Sequence, residues 1–282
     1  MLEVYFRSND ETMNFCDYLF SYSKKIDLHW QKDAEWGNRI QVNYNIEQER
    51  MKDALANAMV DVFNHHRLTT MMREIIEGVY YYTNQDEIER IMDLTQWIFT
   101  GEDEDSLFVR DIKDPNGLLR SIFFSHIQDA TSIHFDSIIK FRFTVFKEQL
   151  IHLVGLAIDE FKREEDHQAF IDMLREYIAK KQPIYDTIHV IQGNAFTFFK
   201  PTGERFSNME LRKIMHEEPL YIVGLDGNEM NLAPLVSMAP KNIKIYGDHP
   251  SEPKTLTIIN VFQEKVDFMP HHSFPFTFHK NN

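Results

Sequence analysis

The stretch from Phe135 to Gly193 decides the fold; it reads FDSIIKFRFTVFKEQLIHLVGLAIDEFKREEDHQAFIDMLREYIAKKQPIYDTIHVIQG. Its first half carries apolar residues at spacings of three and four, which places them along one side of an α-helix. These residues are Ile139, Phe143, Phe146, Leu150, Leu153, Ala157 and Phe161. The pattern predicts a long buried helix near Ser137–Glu165 and a shorter one over about Asp166–Lys181. Pro183 prevents further helix, because proline lacks the amide hydrogen.

The residues after Pro183 change to the spacing that is typical of strands. Ile188–Ile191 and Ala195–Phe199 are separated by Gly193-Asn194, which predicts a β-hairpin with a primed turn. Further strands are predicted at Leu220–Val223, Ile243–Tyr246 and Val266–Phe268. Short helices between them are predicted to begin at the caps Ser207, Asn231 and Ser251. This alternation predicts a C-terminal α/β unit with a small sheet.

The N-terminal residues predict a small β-α-β-β unit. Leu2, Val4 and Phe6 alternate with polar residues, as a strand with one buried face requires. Two later strands are predicted at Asp27–Gln31 and Arg39–Tyr44. The helix between the first and second strands is predicted to have an inner side made of Met13, Cys16, Leu19 and Phe20.

The chain as a whole is predicted to be α+β. Its predicted domains are the N-terminal unit 1–45, a helical domain 46–183 and the C-terminal α/β domain 184–270. A flexible tail is predicted at 271–282. The helical domain is predicted to include Glu47–Phe63, His65–Tyr82, a helix opened by Asp86, and Leu118–Ile127.

Composition narrows the classes of function. The 282 residues include 44 acids and 30 bases, for a formal net charge of −14. Such a chain repels polyphosphate unless its bases cluster, and the densest basic pairs are only Lys24-Lys25 and Lys180-Lys181. Nucleic-acid binding is therefore disfavoured, although a basic face assembled by folding would restore it.

Cysteine and hydropathy bear on the compartment. Cys16 is the single cysteine, so no disulfide can form within the chain, and a reducing cytoplasm is expected. Charged residues interrupt the first 20 positions, which argues against a signal peptide. No run of about 18 uncharged apolar residues occurs, so no membrane span is expected.

Several short motifs resemble those of one protein family. They are Phe141-Arg142-Phe143, Ile158-Asp159-Glu160-Phe161, Ala169–Arg175, Gln182-Pro183, Ile188-His189-Val190, Leu235–Ser237 and Ala239-Pro240. Together with the order of the predicted elements, they make the chain similar to the YtxC-like family of endospore-forming bacteria. The resemblance implies a protein of the sporulation programme. It implies no catalytic residues, because the motifs are apolar helix faces and turn residues.

Candidate metal ligands form two groups. His65-His66 follows Asp61 by one helical turn, but at most two of these side chains share a face, whereas zinc needs three or four ligands. Glu164–His167 contains Glu-x-x-His, which di-metal helical bundles use in two copies, and the chain has one copy. A polar helix end in the first case, and a junction between two helices in the second, explain these residues without a metal.

Candidate acid–base groups are His126 with Asp129, and His152 on the long helix. An Asp–His pair could act as a general base, although a buried, hydrogen-bonded histidine explains these residues as well. Neither Gly-x-Ser-x-Gly nor a Cys–His pair that would activate Cys16 is present. Cys16 is therefore predicted to be structural.

Two further motifs favour structural roles. Gly224–Gly227 follows a predicted strand, but Asp226 would repel a phosphate, so a turn is expected. Tyr80–Tyr82 could stack on bases, yet Glu74, Glu77 and Asp86 surround it, so a cluster at the core boundary is favoured.

The sequence thus predicts no catalytic, cofactor-binding or metal-ligating residues and no cofactor. The leading hypothesis is a non-catalytic cytoplasmic protein that acts through an unidentified protein partner, with the aromatic tail Phe274–Phe278 as one contact surface. An enzyme whose site assembles from distant His, Asp and Glu residues is the first alternative. A nucleic-acid-associated factor is the second, and the oligomeric state stays open.

Overall fold

A computed structural model describes residues 2–44, 47–101, 114–128 and 130–276. The fold is α+β, as predicted, with 59% of the residues in helices and 16% in strands. The chain divides into two compact units, Met1–Lys162 and Arg163–Asn282. The predicted boundaries at 45, 183 and 270 stay predictions.

The N-terminal unit contains a four-stranded sheet in the order β2-β3-β1-β4. Strand β3 is antiparallel to both β1 and β2, whereas β4 pairs with β1 in parallel and was not predicted. The bounds are β1 Leu2–Phe6, β2 Ile26–Asp33, β3 Gly37–Tyr44 and β4 Ser132–His134. The helices are α1 Asn9–Tyr22, α2 Gln48–Phe63, α3 Thr69–Gly78, α4 Gln85–Thr100, α5 Pro115–Ile127 and α6 Phe135–Arg142.

One face of this sheet packs on the helices. Val4, Phe6, Ile40 and Val42 are fully buried there, because they alternate with the polar residues of the opposite face. Helix α1 buries Phe15 and Leu19, but Met13 and Phe20 are about half exposed. The predicted inner side of α1 was therefore wrong by part of a turn, and Cys16 is half-buried.

Two helix boundaries differ from the prediction. The predicted helices on either side of Asn64 are joined through a π-helical turn, Asn64–Leu68, instead of being separated. The predicted long helix is divided at Phe143 into α6 and α7, and α7 then runs unbroken from Thr144 to Ala179 for 36 residues. The interpretation of Glu164–His167 as a junction between two helices was therefore wrong, and these residues lie within α7.

The C-terminal unit contains a second sheet in the order β6-β5-β7-β8. Strands β5, β7 and β8 are parallel, and β6 is antiparallel to β5. The bounds are β5 Thr187–Ile191, β6 Thr197–Phe199, β7 Asn242–Tyr246 and β8 Val266–Met269. The helices after α7 are α8 Asn208–His216, α9 Ala233–Met238 and α10 Pro253–Phe262.

Three local predictions for this unit were wrong. The hairpin exists, but residues 192–196 separate its strands, so it lacks a two-residue primed turn. Leu220–Val223 is a 3₁₀ turn instead of a strand. The predicted caps Asn231 and Ser251 do not cap their helices with side chains; Glu229 Oε2 instead accepts from the amides of Leu232 and Ala233, at 2.7 and 2.8 Å.

The two faces of the C-terminal sheet carry different residues. Ile188, Val190, Ile243 and Ile245 are fully buried in the unit's apolar core. The opposite face carries His189, Phe199 and Tyr246, and aromatic residues from the segment 271–276 contact it. Phe274 packs on Phe199 and Tyr246, with ring centroids 4.9 and 5.1 Å apart, and Phe276 packs on His189 at 5.1 Å.

Candidate functional site

The main candidate site lies at the carboxyl ends of the parallel strands β5, β7 and β8. Ligands of open α/β sheets bind at this edge, because loops that follow adjacent strands converge there. A surface pocket of about 810 Å³ occupies this position. Its lining residues are Gln192, Gly193, Asn194, Gly247, Asp248, His249, Glu252, Lys254 and His271.

Gln192 organises the pocket. Its amide nitrogen donates to the carbonyl of His249 at 2.7 Å, and it lies 2.9 Å from Glu252 Oε2 and 2.8 Å from Thr255 Oγ1. Its amide oxygen accepts from the backbone amides of Asp248 and His249, at 3.2 and 3.0 Å. The Gln192 side chain therefore ties the loop after β5 to the loop after β7 and to the start of α10.

Gly247 is required by this arrangement. A Cβ atom at this position would collide with the Gln192 side chain, so a larger residue would displace the amide. On the other side of the pocket, Lys254 Nζ donates to the carbonyl of Asn194 at 3.1 Å. The remaining polar groups are Asp248, His249 and His271, and this mixture of charges suits a polar small molecule.

The histidine at the centre of the sheet has a separate environment. His189 is 8% exposed, and its Nδ1 lies 2.8 Å from the hydroxyl of Tyr246 in a hydrogen bond. Burial, with a smaller effect from Lys244, lowers the pKa of His189. Burial, with Asp267, raises the pKa of Tyr246. Because Phe276 packs against the imidazole, this pair is closed to a substrate.

The candidate metal ligands considered from the sequence are not brought together. His66 Nε2 is hydrogen-bonded to Asn14 Oδ1 at 2.7 Å, and Asp61 accepts from the hydroxyl of Tyr22 at 2.6 Å. His167 is exposed within α7. Within residues 2–44, 47–101, 114–128 and 130–276, no three His, Cys, Asp or Glu side chains form a group that could hold a metal ion.

The predicted acid–base residues are likewise apart. His126 Nδ1 donates to the carbonyl of Ile122 at 2.8 Å, within its own helix. Asp129 lies outside the described residues. His152 is exposed on α7, so the interpretation of it as a buried histidine was wrong. The prediction that the chain has no catalytic residues stays a prediction.

The remaining motifs have structural partners. Asp226 Oδ1 accepts from the amide of Asn228 at 2.9 Å, which forms the expected turn. The hydroxyl of Tyr80 donates to the carbonyl of Ile151 at 2.9 Å, whereas Tyr81 is 80% exposed. Burial raises the pKa of Cys16 to about 11, which keeps its thiol protonated at neutral pH.

Sequence reasoning missed Gln192 and the pocket around it. Gly193-Asn194 was interpreted as a tight hairpin turn, and Gln192 before it was given no role. The useful signal was a polar residue directly after an apolar strand, but it indicates a ligand site only when a parallel neighbour supplies a second loop. The parallel pairing of β5 with β7 became visible only in the structure.

Comparison with known proteins identifies the family. The model of the YtxC-like family matches residues 53–267. The chain is also 32% identical over 208 residues to "Uncharacterized protein YtxC" of Bacillus subtilis (strain 168), which covers 72% of each protein. The chain belongs to the YtxC-like family. No solved structure matches it. The part matched by the family model includes most of both units and the loops after β5 and β7.

Proposed function

We propose that this YtxC-like protein works in the cytoplasm during sporulation by binding a protein partner through its C-terminal unit. The sporulation role rests on the family membership, and the compartment rests on the single cysteine. Within the described residues, no helix is long and apolar enough to cross a membrane. We also expect no affinity for nucleic acid, given the net charge of −14.

The observation that carries the proposal is the 3₁₀ turn Leu220–Val223. The two middle residues of the turn have large side chains that face solvent: Tyr221 is 79% exposed and Ile222 is 60% exposed. Leu220 and Val223 are buried on either side of them and anchor the turn. Large side chains held rigidly in water are favoured as interface anchors, since little conformational entropy is lost when they bind.

A pocket beside this turn indicates what the partner presents. It has a volume of about 640 Å³, and its apolar lining is Met215, Leu220 and Leu225. Arg212 and His216 line it as well, next to Glu217 and Glu218. Glu218 is engaged by Lys181 Nζ at 2.7 Å and by the hydroxyl of Tyr177 at 2.9 Å. The occupant we propose is a protein segment with a large apolar side chain next to an acidic one.

The first experiment tests the turn in sporulating cells of an endospore-forming host. A photo-crosslinking amino acid replaces Ile222, which is 60% exposed, in one strain and Tyr81, which is 80% exposed, in a control strain. We expect a crosslinked protein at 222 only, lost when Tyr221→Ser is added. Peptide mapping should place the crosslink beside a large apolar residue with an acidic neighbour. Equal crosslinking at 222 and 81 would contradict the proposal.

The second experiment measures how loss of the two exposed side chains affects spore formation and partner binding. The Tyr221→Ser, Ile222→Ser double variant should lower the yield of heat-resistant spores and weaken the crosslinked partner's binding about tenfold or more, as loss of an interface anchor does. The Tyr81→Ser variant should behave as wild type in both assays. Normal spore yield with the double variant, at normal protein level, would remove the functional role of this turn.

The pocket at the carboxyl ends of the strands favours a second candidate, a polar ligand or substrate bound near Gln192. A double variant, Asp248→Asn with His249→Gln, separates this candidate from the first. It should leave the crosslink at 222 intact. If it abolishes sporulation while the Tyr221/Ile222 variant does not, the ligand hypothesis replaces the partner hypothesis.

A further inference from the structure

A second polar pocket lies in the N-terminal unit, at the carboxyl end of β4 and the start of α6. Its volume is about 330 Å³, at the lower end of small-molecule sites. The polar residues that line it are His126, Ser132, His134, Ser137 and Arg142. Among the described residues, no acidic side chain lines it, in a protein with 44 acidic and 30 basic residues. Such a local excess of positive and donor groups favours a negatively charged ligand.

The polar groups of this pocket are free to bind. The Arg142 side chain makes no hydrogen bond or ion pair with another described residue. The hydroxyls of Ser132 and Ser137 are also without protein partners in the part of the chain that the structure describes. His126 Nδ1 donates to the carbonyl of Ile122, so Nε2 is left for a ligand and donates to an anion when the ring carries a second proton.

His134 supplies an independent indication of a ligand. Its Nδ1 atom is buried and has no hydrogen-bond partner among the described residues. A buried polar atom without a partner is costly, so native proteins supply one from a side chain, a water molecule or a ligand. The ring itself is fixed, because it stacks on Tyr5 at 4.6 Å and lies against Trp36 at 4.5 Å.

Two described acids close to His134 are already engaged. Asp136 accepts from Arg67 Nη2 at 3.1 Å and from the amide of Arg7 at 3.3 Å. Asp33 is close enough to His134 for their charges to interact, but its carboxylate accepts from the backbone amides of Glu35 and Trp36. Neither carboxylate lines the pocket, and within the part of the chain that the structure describes no acid pairs with Arg142.

An apolar wall completes the pocket. Ile133 and Ile138 belong to the buried core, and the ring of Phe141 is 64% exposed at the edge. The start of α6 adds backbone amides that favour an anion. We infer that this pocket binds a small organic anion, whose carboxylate or phosphate meets Arg142 and the two histidines while a short planar or aliphatic part covers Phe141.

Calorimetric titration of the full-length protein tests the inference with four probes. They are phenyl phosphate, benzoate, inorganic phosphate and benzamide, which is neutral. We expect saturable 1:1 binding of phenyl phosphate or benzoate and at least tenfold weaker binding of benzamide. Whichever of the two anions binds more tightly identifies the preferred headgroup. Weaker binding of inorganic phosphate than of phenyl phosphate would show that the apolar part of the ligand contributes to affinity. Equal binding of benzamide would overturn the inference.

Two variants locate the site. Arg142→Gln should lower the affinity for the more tightly bound anion about tenfold or more, because a charge-assisted hydrogen bond is lost. Phe141→Ser should weaken phenyl phosphate but leave inorganic phosphate unchanged. Arg50→Gln is the matched control, since Arg50 is an exposed residue of α2 in the same unit. Both test residues are exposed, so thermal midpoints should match wild type; equal affinities of Arg142→Gln and Arg50→Gln would refute the site.

Discussion

In the N-terminal sheet the second face carries Glu3, Tyr5, Arg39 and Gln41, which bond to one another at the surface. In the C-terminal sheet the second face carries His189, Phe199 and Tyr246, which lie beneath two phenylalanine rings. Glu3 accepts from the hydroxyl of Tyr5 at 2.7 Å and from Gln41 at 3.1 Å, and these two hydrogen bonds lower its pKa. This face of the N-terminal sheet is thus polar and partly exposed, whereas the corresponding face of the C-terminal sheet is covered by aromatic rings.

The difference extends to how each unit fastens its elements outside the apolar core. In the N-terminal unit, Glu11 of α1 is 2% exposed and is paired with Arg67 of the π-helical turn, which also reaches Asp136 of α6 at 3.1 Å. In the C-terminal unit, rings and one His–Tyr hydrogen bond hold the segment 271–276 on the sheet, and the uncharged Gln192 side chain ties the loops after β5 and β7 together. We therefore expect removal of a charge to destabilise the N-terminal unit most, and removal of aromatic rings to destabilise the C-terminal unit most.

The largest loss of unfolding free energy is expected for Arg67→Met. The variant leaves the buried Glu11 carboxylate without its cation, which costs about 3 kcal/mol or more of unfolding free energy. All three tryptophans, Trp30, Trp36 and Trp97, belong to the N-terminal unit, so denaturant unfolding followed by tryptophan fluorescence reports on this unit.

The matched control for that variant is Arg120→Met. Arg120 pairs with Asp53, but both side chains are nearly half exposed, so water screens the pair. We expect a loss within about 1 kcal/mol. Equal losses for Arg67→Met and Arg120→Met would mean that the buried pair has no special role in the N-terminal unit.

The next largest loss of unfolding free energy is expected for the double variant Phe274→Ala with Phe276→Ala, which removes the two rings that cover the face of the C-terminal sheet. The rings are partly buried, so the loss should reach about 2 kcal/mol, below the cost of a fully buried phenylalanine. Hydrogen exchange should accelerate in peptides that contain β5 and β7, while the tryptophan transition should not move. A shift of the tryptophan transition alone would reverse the comparison.

A smaller effect is expected for Tyr246→Phe. The change removes the hydroxyl that bonds to His189 Nδ1 and leaves that atom buried without a partner. The cost should be about 1 kcal/mol, as for one buried hydrogen bond. Tyr177→Phe, which removes a hydroxyl bonded to Glu218 at the edge of the same unit, serves as the control and should cost less.

The smallest effect concerns Cys16. Its thiol is half-buried and its pKa is raised to about 11, so little thiolate exists at neutral pH. We expect labelling of the native protein by a thiol reagent at pH 7 to be much slower than labelling in denaturant, and Cys16→Ser to leave spore yield unchanged. Labelling as fast as in denaturant would show that α1 is open in solution.

Periodicity predicted most of this architecture, because spacing controls which face of an element is buried. The alternation of Leu2, Val4 and Phe6, and the apolar stripe through Leu150 and Leu153, appear in the structure as buried positions. The errors lie where local spacing says nothing. The continuation of α7 past residue 165 and the 3₁₀ turn at 220–223 depend on packing with distant parts of the chain.

The candidate sites were beyond sequence reasoning for the same reason. Gln192, His249 and His271 come from three separate loops, and only the parallel pairing of the strands brings those loops to one edge. The anion pocket needs β4, a three-residue strand too short to give a periodic signal. The covering role of Phe274 and Phe276 depends on a fold-back that composition cannot indicate.

Burial of His189 on the covered face of the C-terminal sheet makes stability depend on pH. Because burial lowers the pKa of His189 in the folded protein, the unfolded chain binds the proton more readily. The stability that the neutral imidazole supports is therefore present above the ordinary histidine pKa and is lost as the pH falls toward the folded value. His189→Gln should flatten this part of the stability profile below the ordinary histidine pKa of about 6.5.

The most direct test of the aromatic cover is an NMR titration of the His189 ring in two proteins. One is wild type, and the other carries Phe274→Ala and Phe276→Ala; the His189→Gln spectrum assigns the resonance. The account predicts that His189 titrates below the usual histidine range in wild type and moves upward toward that range in the double variant, because the imidazole becomes hydrated. The same low pKa in both proteins would contradict it.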